Sequence, residues 1–366
     1  MARKLSVMVA NIKVALILPG SIWYAPYVRN YTRIFDEVNV DYSIISWNRE
    51  GDDKPEGFQY NEICKKGHSS AGFGAYRGYV KFIKKTIKEN GFNRIVVFGP
   101  QMTCLLSLYL LRNFRNRYII DYRDLSVEQK IGFKQVFSFM LRYSSANVIS
   151  SPGFKKCLPK RDYYMSHNFD ERAVRIALEN KSKDENFNLP EGKIDVLTIG
   201  AIRDFSSNIQ VAKALVNKDG VTLRFVGKGQ ATVDKLKSYC NEVNAANISF
   251  VGYYEKQEEA EYVKSCSFMN IFYPRIITHD TALSNRFYNS LIYHRPMLVT
   301  KDTCQGDYVE KYDVGIALEN CDNLAEKLVA FLKKDYSAYC TRCEELLAVF
   351  LDDQEKFVGV VKDFVS

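Results

Sequence analysis

Short apolar runs recur along the chain, each ending in a turn signal and followed by residues at helical spacing. Residues 13–18 (KVALIL) run into Pro19-Gly20-Ser21, after which helical spacing continues to about Asp36. Residues 42–47 form a second run, and residues 94–98 (RIVVF) a third that ends at Gly99-Pro100-Gln101. Residues 118–121 (YIID) lead into Tyr122-Arg123-Asp124, and residues 146–150 into Ser151-Pro152-Gly153. Helical patterns lie between, at 103–111 and around 133–144. Continuous apolar runs fit strands buried on both faces, and strand, turn and helix in alternation specify a parallel α/β sheet. Residues 49–74, with five glycines and little periodicity, read as a long loop bordering a site, with His68 an ordinary loop residue.

After a polar stretch at 179–192 the alternation starts again. Residues 194–199 run into Gly200-Ala201-Ile202-Arg203, with a helix through 209–215 behind them. Residues 222–226 (TLRFV) run into Gly227-Lys228-Gly229, a helix follows, and residues 248–251 and 268–272 are further strands, with a helix closing at 262–265 between them. Residues 281–300 (TALSNRFYNSLIYHRPMLVT) read as loop, short helix, Pro296 and apolar strand, and residues 315–318 as a last strand. Three helical stretches near 324–333, 343–351 and 357–364 finish the chain. Its 366 residues accommodate two domains, each with its own core. Doubly wound sheets bind ligands at the carboxyl ends of their strands, so a cleft between two of them is the expected site.

Composition adds little: 46% hydrophobic and 26% charged is ordinary for a soluble globular protein. The first apolar run is interrupted by Asn11 and Lys13 and has no small-residue cleavage site, so neither a signal peptide nor a membrane span is expected. Nine cysteines, of which only Cys340 and Cys343 form a close pair, on a helical stretch and with no second pair to complete a metal site, fit reduced thiols in a cytoplasm, and no metal site is expected. The sequence lacks GxxxxGK[ST], GxSxG and GxGxxG, which argues against a Walker-type NTPase, a serine hydrolase of the elbow type and a dehydrogenase.

Charge changes the picture more. The net +8 is uneven: from Ile63 to Arg117 there are eleven Lys or Arg against one acid, Glu89. Lys81, Lys84, Lys85 and Lys88 share one face of a helix whose other face carries Tyr76, Tyr79, Val80, Ile83 and Ile87. Such a helix suits an anionic membrane surface, a polyphosphate lipid or a nucleic acid, or is a solvated outer face. No nucleic-acid module accompanies it, which favours the membrane and no nucleic-acid partner.

Several residues could carry chemistry. Asn285 is placed to cap the helix in 281–300, with Arg286 in its first turn and Phe287, Leu291 and Ile292 facing a core. A loop opening into a helix N-terminus suits a phosphate, and Arg286 adds a planar fork of donors; an ordinary helix–strand crossover would look similar. Gly20 lets backbone approach a ligand. Asp121, Arg123 and Asp124 end a strand at the expected cleft, or form a salt-bridge knot. His279 and Asp280 precede the helix of 281–300 and could line a pocket, and His167 could contact phosphate or hold a hinge.

The stretch 281–300 resembles the donor-binding segment of nucleotide-sugar glycosyltransferases of the GT-B fold, specifically the retaining enzymes of glycosyltransferase family 4. Their pattern is roughly small-Asn-Lys-aromatic-x-Glu, a short helix, Gly-Lys-Pro and an apolar strand. Here Arg286 stands in place of the Lys, and His294-Arg295-Pro296 in place of Gly-Lys-Pro. Asn289 replaces the Glu that grips the ribose hydroxyls, and Thr281 an earlier Glu. Gly200-Ala201-Ile202-Arg203 resembles the family's Gly-Arg turn, without the Lys that usually follows about five residues on. His167-Asn168-Phe169-Asp170 looks like a variant of its interdomain turn.

The resemblance implies two facing Rossmann-like doubly wound domains with an interdomain cleft. Residues 1–168 would bind acceptor and 169–345 the nucleotide sugar, with 346–366 crossing back. It implies donor contacts from Gly200, Arg203, Gly227, Lys228, Gly229, Asn285, Arg286, Phe287, Asn289 and His279. Asp124, with Arg123 as its rival, would touch the transferred sugar, and Gly20, Ser21 and His167 would face the acceptor side. The implied activity is retaining transfer of a sugar from a nucleotide-diphosphate donor, without metal or cofactor. The implied acceptor is a lipid-diphosphate-linked saccharide of bacterial capsule, O-antigen or exopolysaccharide assembly, met at the inner membrane by a cytoplasmic, peripheral enzyme. The alternatives are a nucleotide-sugar epimerase or hydrolase of the same fold and a non-catalytic sugar- or lipid-binding subunit.

Overall fold

A computed structural model describes residues 12–49, 51, 56–62, 73–180 and 186–366. His68, most of the long loop and the middle of the polar stretch after Glu179 lie outside the described residues. The chain divides into two compact units.

The first unit comprises Met1–Ser150, Leu158–Ser166 and Asp353–Ser366. Its strands are β1 (Lys13–Ile17), β2 (Asp41–Trp47), β3 (Phe58–Tyr60), β4 (Arg94–Phe98), β5 (Tyr118–Tyr122), β6 (Ala146–Ile149) and β7 (Tyr164–Met165). They form, among the described residues, a seven-stranded sheet in the order β3-β2-β1-β4-β5-β6-β7. Every pairing in it is parallel. The helices are α1 (Arg29–Glu37), α2 (Phe73–Asn90), α3 (Pro100–Leu105), α4 (Ser107–Asn113) and α5 (Phe133–Arg142). β3 was not anticipated: its three residues lie within the glycine-rich stretch, too short to leave a period-2 signal. The helix expected at 103–111 is two short helices meeting at Leu106.

The second unit comprises Ser151–Cys157 and His167–Asp352. It begins with α6 (Glu171–Glu179), followed by β8 (Ile194–Ile199), α7 (Phe205–Leu215), β9 (Val221–Val226), α8 (Gln230–Glu242) and β10 (Ile248–Val251). Next come α9 (Glu259–Ser265), β11 (Phe268–Ile271), α10 (Ile277–Thr281), α11 (Asn285–Ile292) and β12 (Met297–Thr300). The series ends with α12 (Cys304–Tyr312), β13 (Gly315–Leu318) and α13 (Leu324–Phe331). Its sheet is also all parallel, in the order β10-β9-β8-β11-β12-β13. The strand-interior Asp195 is stabilised across the sheet: buried, it accepts from Arg224 Nε at 2.8 Å and from Thr222 Oγ1 at 2.8 Å.

The chain closes with α14 (Tyr336–Phe364), one helix where two stretches were expected. Residues 352–356 are polar but hold no Gly or Pro, and buried Leu347, Phe350, Gln354, Phe357 and Val361 keep helical spacing straight through them. Its last turns belong to the first unit, where Phe357, Val361 and Phe364 join Val14, Leu16 and Tyr31 in one core.

In each sheet the strand order reverses beside the first strand, between β1 and β4 in one and between β8 and β11 in the other. Neighbouring connections leave such a point on opposite faces, so a crevice opens at the carboxyl ends of the two strands.

Candidate functional site

At the reversal point of the second unit, the loops after β8 and β9 are joined edge to edge. Gly200 N donates to Val226 O at 2.9 Å, Ile202 N to Lys228 O at 2.8 Å, and Thr232 Oγ1 to Arg203 O at 2.7 Å. Gly227 has φ +128°, and a Cβ on it would stand 2.0 Å from Gly200 O; one on Gly229 would stand 2.0 Å from Ile202 O. These two glycines are therefore required for the loops to meet, which is a tighter role than the phosphate approach expected of them. Lys228 stacks its ammonium over Tyr253, 4.4 Å from the ring centroid. Gly200 itself has φ +95°, and the chain turns there to present Arg203.

Beside these loops lies a pocket of about 290 Å³ lined by Arg203, Arg286, Tyr273, His279, Ser284 and Gln305, among others. Arg286 Nη2 donates to Ala201 O at 2.9 Å, and its guanidinium lies 5.7 Å from the Tyr273 ring centroid. Arg203 is exposed, and among the described residues neither arginine has a carboxylate partner. Asp204 also lines the pocket, unpaired with either arginine among the described residues, so the lining keeps a net positive charge suited to an anion.

The N-terminus of α11 lies at this pocket, with its cap one residue earlier than expected. Ser284, not Asn285, is the N-cap: its Oγ accepts from Phe287 N at 3.3 Å and donates to Gln305 Oε1 at 2.8 Å. Asn285 is the exposed first helical residue. Phe287, expected at the donor, is fully buried in the core of the unit. His279 stacks on Tyr273 at 4.9 Å between centroids, with Nδ1 3.3 Å from Pro274 O. A carbonyl only accepts, so Nδ1 is the donor in this contact. Asp280 is engaged by Arg275, with Nε at 3.0 Å.

Asn289 donates its side-chain amide to Glu259 Oε1 at 2.5 Å, and Tyr254 donates its hydroxyl to Glu259 Oε2 at 3.1 Å. A carboxylate with 13% exposure is thus delivered from α9 to the side chain at position 289. Burial and the Glu259 charge raise the Tyr254 phenol to about 12. His294 has φ +50°, the left-handed conformation that a glycine adopts without strain. Where the resemblance expects a Lys after Arg203, Asn208 is buried and hydrogen-bonded to Asn270, which also donates to Thr198.

In the first unit, Gly20 and Ser21 line a second pocket of about 230 Å³ at the β1/β4 reversal point, with Tyr24, Tyr27, Arg49 and Gln101. The Asp121-Arg123 cluster takes the form of a salt-bridge knot. Arg123 is buried, its Nε and Nη2 clamp Asp121 at 2.5 and 2.8 Å, and Nη1 donates to Ser166 O at 2.9 Å. Tyr31 donates to the same carboxylate at 2.8 Å. Arg123 is thereby committed to the fold rather than to a ligand. Asp124 differs: its side chain is exposed, yet the surrounding protein displaces enough water to push its carboxyl above the ordinary carboxylate range, partly offset by Arg123. His167, expected to face a ligand, lies 1% exposed in the second unit, with Nδ1 2.9 Å from the Tyr288 hydroxyl and its ring against Phe169 and Phe350. The short polar run around it hid an aromatic cage whose other members come from α11 and α14.

On α2, Lys81, Lys85 and Lys88 are exposed, while Lys84 lies 5.5 Å from the Tyr109 ring centroid. Sequence reasoning missed Gln305, Tyr273, Glu259 and Arg49, since each joins its site from an element distant in the chain. Ser284 beside Asn285 was the one legible signal, two good caps in adjacent positions.

No family model matches the chain, and no curated protein matches it in sequence. Its structure is similar to solved ones. A glycosyltransferase from Rickettsia africae superposes with TM-score 0.71 at 11% identity, over 98% of this chain and 99% of the other. Sucrose-phosphate synthase from Thermosynechococcus elongatus gives 0.69 at 13% identity, over 96% and 98%. Anabaena HepE in complex with UDP and glucose gives 0.67 at 11% identity, over 96% and 100%. At such identities the likeness establishes architecture: the chain has the GT-B fold, two Rossmann-like domains each built on a parallel sheet.

Proposed function

We propose that this protein is a glycosyltransferase that takes a sugar from a nucleotide-diphosphate donor bound in the second unit. The observation that carries the proposal is the pair Arg203 and Arg286, two guanidinium groups without carboxylate partners among the described residues, lining one pocket at the N-terminus of an eight-residue helix. A departing nucleoside diphosphate needs this arrangement, because its charge increases as the sugar leaves and fixed donors stabilise it without reorganising. Ser284 already caps Phe287 N, which leaves the amides of Asn285 and Arg286 at the pocket end of the helix. Glu259, held by Asn289 and Tyr254, supplies the carboxylate for the ribose hydroxyls that position 289 lacks.

The acceptor is a lipid-diphosphate-linked saccharide of bacterial surface polysaccharide assembly, and transfer proceeds with retention as in glycosyltransferase family 4. In a front-side displacement, the acceptor oxygen bonds to the anomeric carbon as the bond to the diphosphate breaks. The hydroxyl proton passes to the leaving phosphate oxygen. A covalent glycosyl adduct trapped on Asp124 would contradict this course. The enzyme works at the cytoplasmic face of the inner membrane as a peripheral protein; no helix among the described residues is long and apolar enough to cross a membrane. Support for membrane attachment comes from the exposed lysines of α2 and from exposed Leu108, Ile131, Phe133 and Phe139 on and beside α4 and α5. The segments 107–117 and 129–145 contain six Lys or Arg and no acid, the pattern of an interfacial surface.

The test is nucleotide release from radiolabelled sugar nucleotides, with and without saccharide-lipid extract. Release that requires acceptor, with label moving to the lipid phase, is the expected result. Equal release without acceptor would point to a hydrolase, and interconversion of the donor sugar to an epimerase. Binding of acceptor lipid without any nucleotide binding would leave the non-catalytic subunit.

A further inference from the structure

A groove of about 750 Å³ lies between α2 and α4, lined by Lys84, Lys85 and Lys88 from one helix and by Tyr109, Asn113 and Phe114 at the other. These residues come from the C-terminal parts of the two helices, just before β4 and β5. The groove therefore lies at the amino ends of the strands, the opposite edge of the sheet from Gly20 and the β1/β4 crevice. Cations surround its aromatic floor. Lys84 Nζ lies 5.5 Å from the Tyr109 ring centroid, Lys13 Nζ 5.3 Å from that of the buried Phe92, and the Arg117 guanidinium 5.6 Å from that of the buried Phe114. Glu89 reaches Lys85 at 3.8 Å, and it is the one acid in the sequence from Ile63 to Arg117, against eleven Lys or Arg. One lysine offsets the partial charge of about half a unit at a helix C-terminus, so three along one groove leave it positive.

The surface around the groove specifies what covers it. On one face of this sheet α1 and the end of α14 pack against β1 and β4. The crossovers through α2, α4 and α5 run along the strand order in the opposite direction from the one through α1, so right-handed connections place these three helices on the other face. There α4 packs against α5. Leu108 on α4 is 77% exposed and Ile131, just before α5, 95%, with Phe133 and Phe139 of α5 also exposed. Arg112, Arg115, Lys130, Lys134 and Arg142 are exposed around them. Large apolar side chains interleaved with cations fit the boundary between headgroups and acyl chains in an anionic bilayer, where the first leave water and the second meet phosphates. A nucleic acid would use the cations and leave Leu108 and Ile131 in water.

We propose that this face docks on an anionic bilayer and that the groove between α2 and α4 seats the phosphate-bearing headgroup of a phospholipid. Lys84 and Lys88 pair with the phosphate, and Leu108 and Ile131 enter the acyl boundary. This deepens the membrane-attached reading above and rests on it, with a defined headgroup seat in place of diffuse charge. It involves none of the residues assigned to the nucleotide or to the transferred sugar.

Binding is measured on the full chain by co-sedimentation with vesicles of phosphatidylcholine alone, and of phosphatidylcholine and phosphatidylglycerol in equal parts. The mixed vesicles should bind and the neutral ones should not. Lys84→Gln/Lys88→Gln should weaken binding to the mixed vesicles by about tenfold or more, given the attraction of each basic residue near an anionic surface. Arg33→Gln/Lys362→Gln, the same change of charge on α1 and α14 across the sheet, should have much less effect. Asn113→Asp places an acid in the groove at an exposed position and should weaken binding without lowering the melting temperature. Leu108→Ser/Ile131→Ser should remove the part of the binding that survives high salt. Equal weakening in the groove and control pairs, or full binding by Asn113→Asp, would overturn the headgroup seat and leave membrane attachment standing. No binding of mixed vesicles by the parent, or capture of duplex DNA in preference to them, would overturn both. Nucleotide-sugar binding followed in the same variants should stay unchanged, so the transferase assignment is tested separately.

Discussion

Asn289 donates its side-chain amide to Glu259 at 2.5 Å, so a carboxylate from α9 is fixed beside position 289. The pair makes a specific prediction. Glu259→Gln should weaken nucleotide-sugar binding while leaving nucleotide-free folding nearly unchanged. Asn289→Glu should weaken binding, because two carboxylates would then share one site. The double variant Glu259→Gln/Asn289→Glu should regain affinity, as titration calorimetry would reveal. Simple additivity of the two losses would dissociate Glu259 from the ribose.

Arg203→Ala and Arg286→Ala should each raise the Kd for the donor by about tenfold or more, the typical loss of a charge-assisted contact to phosphate. Arg203 is exposed and Arg286 holds one carbonyl, so neither change should move the melting temperature of the free protein by more than a few degrees. A binding isotherm unchanged in both variants would remove the diphosphate from this pocket.

Gly227→Ala should be disruptive out of proportion to its size. The new methyl would meet Gly200 O at 2.0 Å at a left-handed φ, costing about 1–3 kcal/mol in backbone strain before the clash is counted. Both stability and donor affinity should fall together, since the loop that Gly227 meets is the one that presents Arg203. A variant that melted lower yet bound donor normally would show that the loop junction is purely structural.

Asp124 carries a pH signature. Loss of solvation raises its folded pKa, so the native state favours the protonated acid, and the stability this contributes is present at low pH and lost as pH rises through the folded value. Asp124→Asn removes the ionising group. The variant should therefore melt above the parent at pH 7, with the gap closing below the pKa of an unfolded aspartate. If Asp124 touches the transferred sugar, kcat should drop in the same variant that gains stability. Melting curves that coincide at every pH would mean the carboxyl is ordinarily solvated.

The architecture was legible because parallel strands covered on both faces are written as continuous apolar runs. Ile194–Ile199 was delimited residue for residue despite its buried Asp195, whose partners Thr222 and Arg224 lie on the next strand. The two arginines that line the pocket of the second unit were both singled out from the sequence, one at each of two glycine- or cap-marked turns. What the sequence hid is what only tertiary contact creates. His167 reads as a polar hinge residue and is enclosed by the rings of Phe169, Tyr288 and Phe350, whereas the core position of Phe287 follows from its helical spacing and only the resemblance placed it at the donor. Glu259 carries no local signal, because its significance lies in Asn289, thirty positions later.

The most direct measurement is thermal stabilisation of the full chain by a panel of UDP-, GDP-, CMP- and dTDP-sugars, run in parallel on Arg203→Ala and Arg286→Ala. A ligand that binds only the folded state raises the melting temperature. The account predicts a saturable upward shift with one nucleotide class and its loss in both variants. A shift that persists in both, or none with any nucleotide even when acceptor lipid is present, would contradict it.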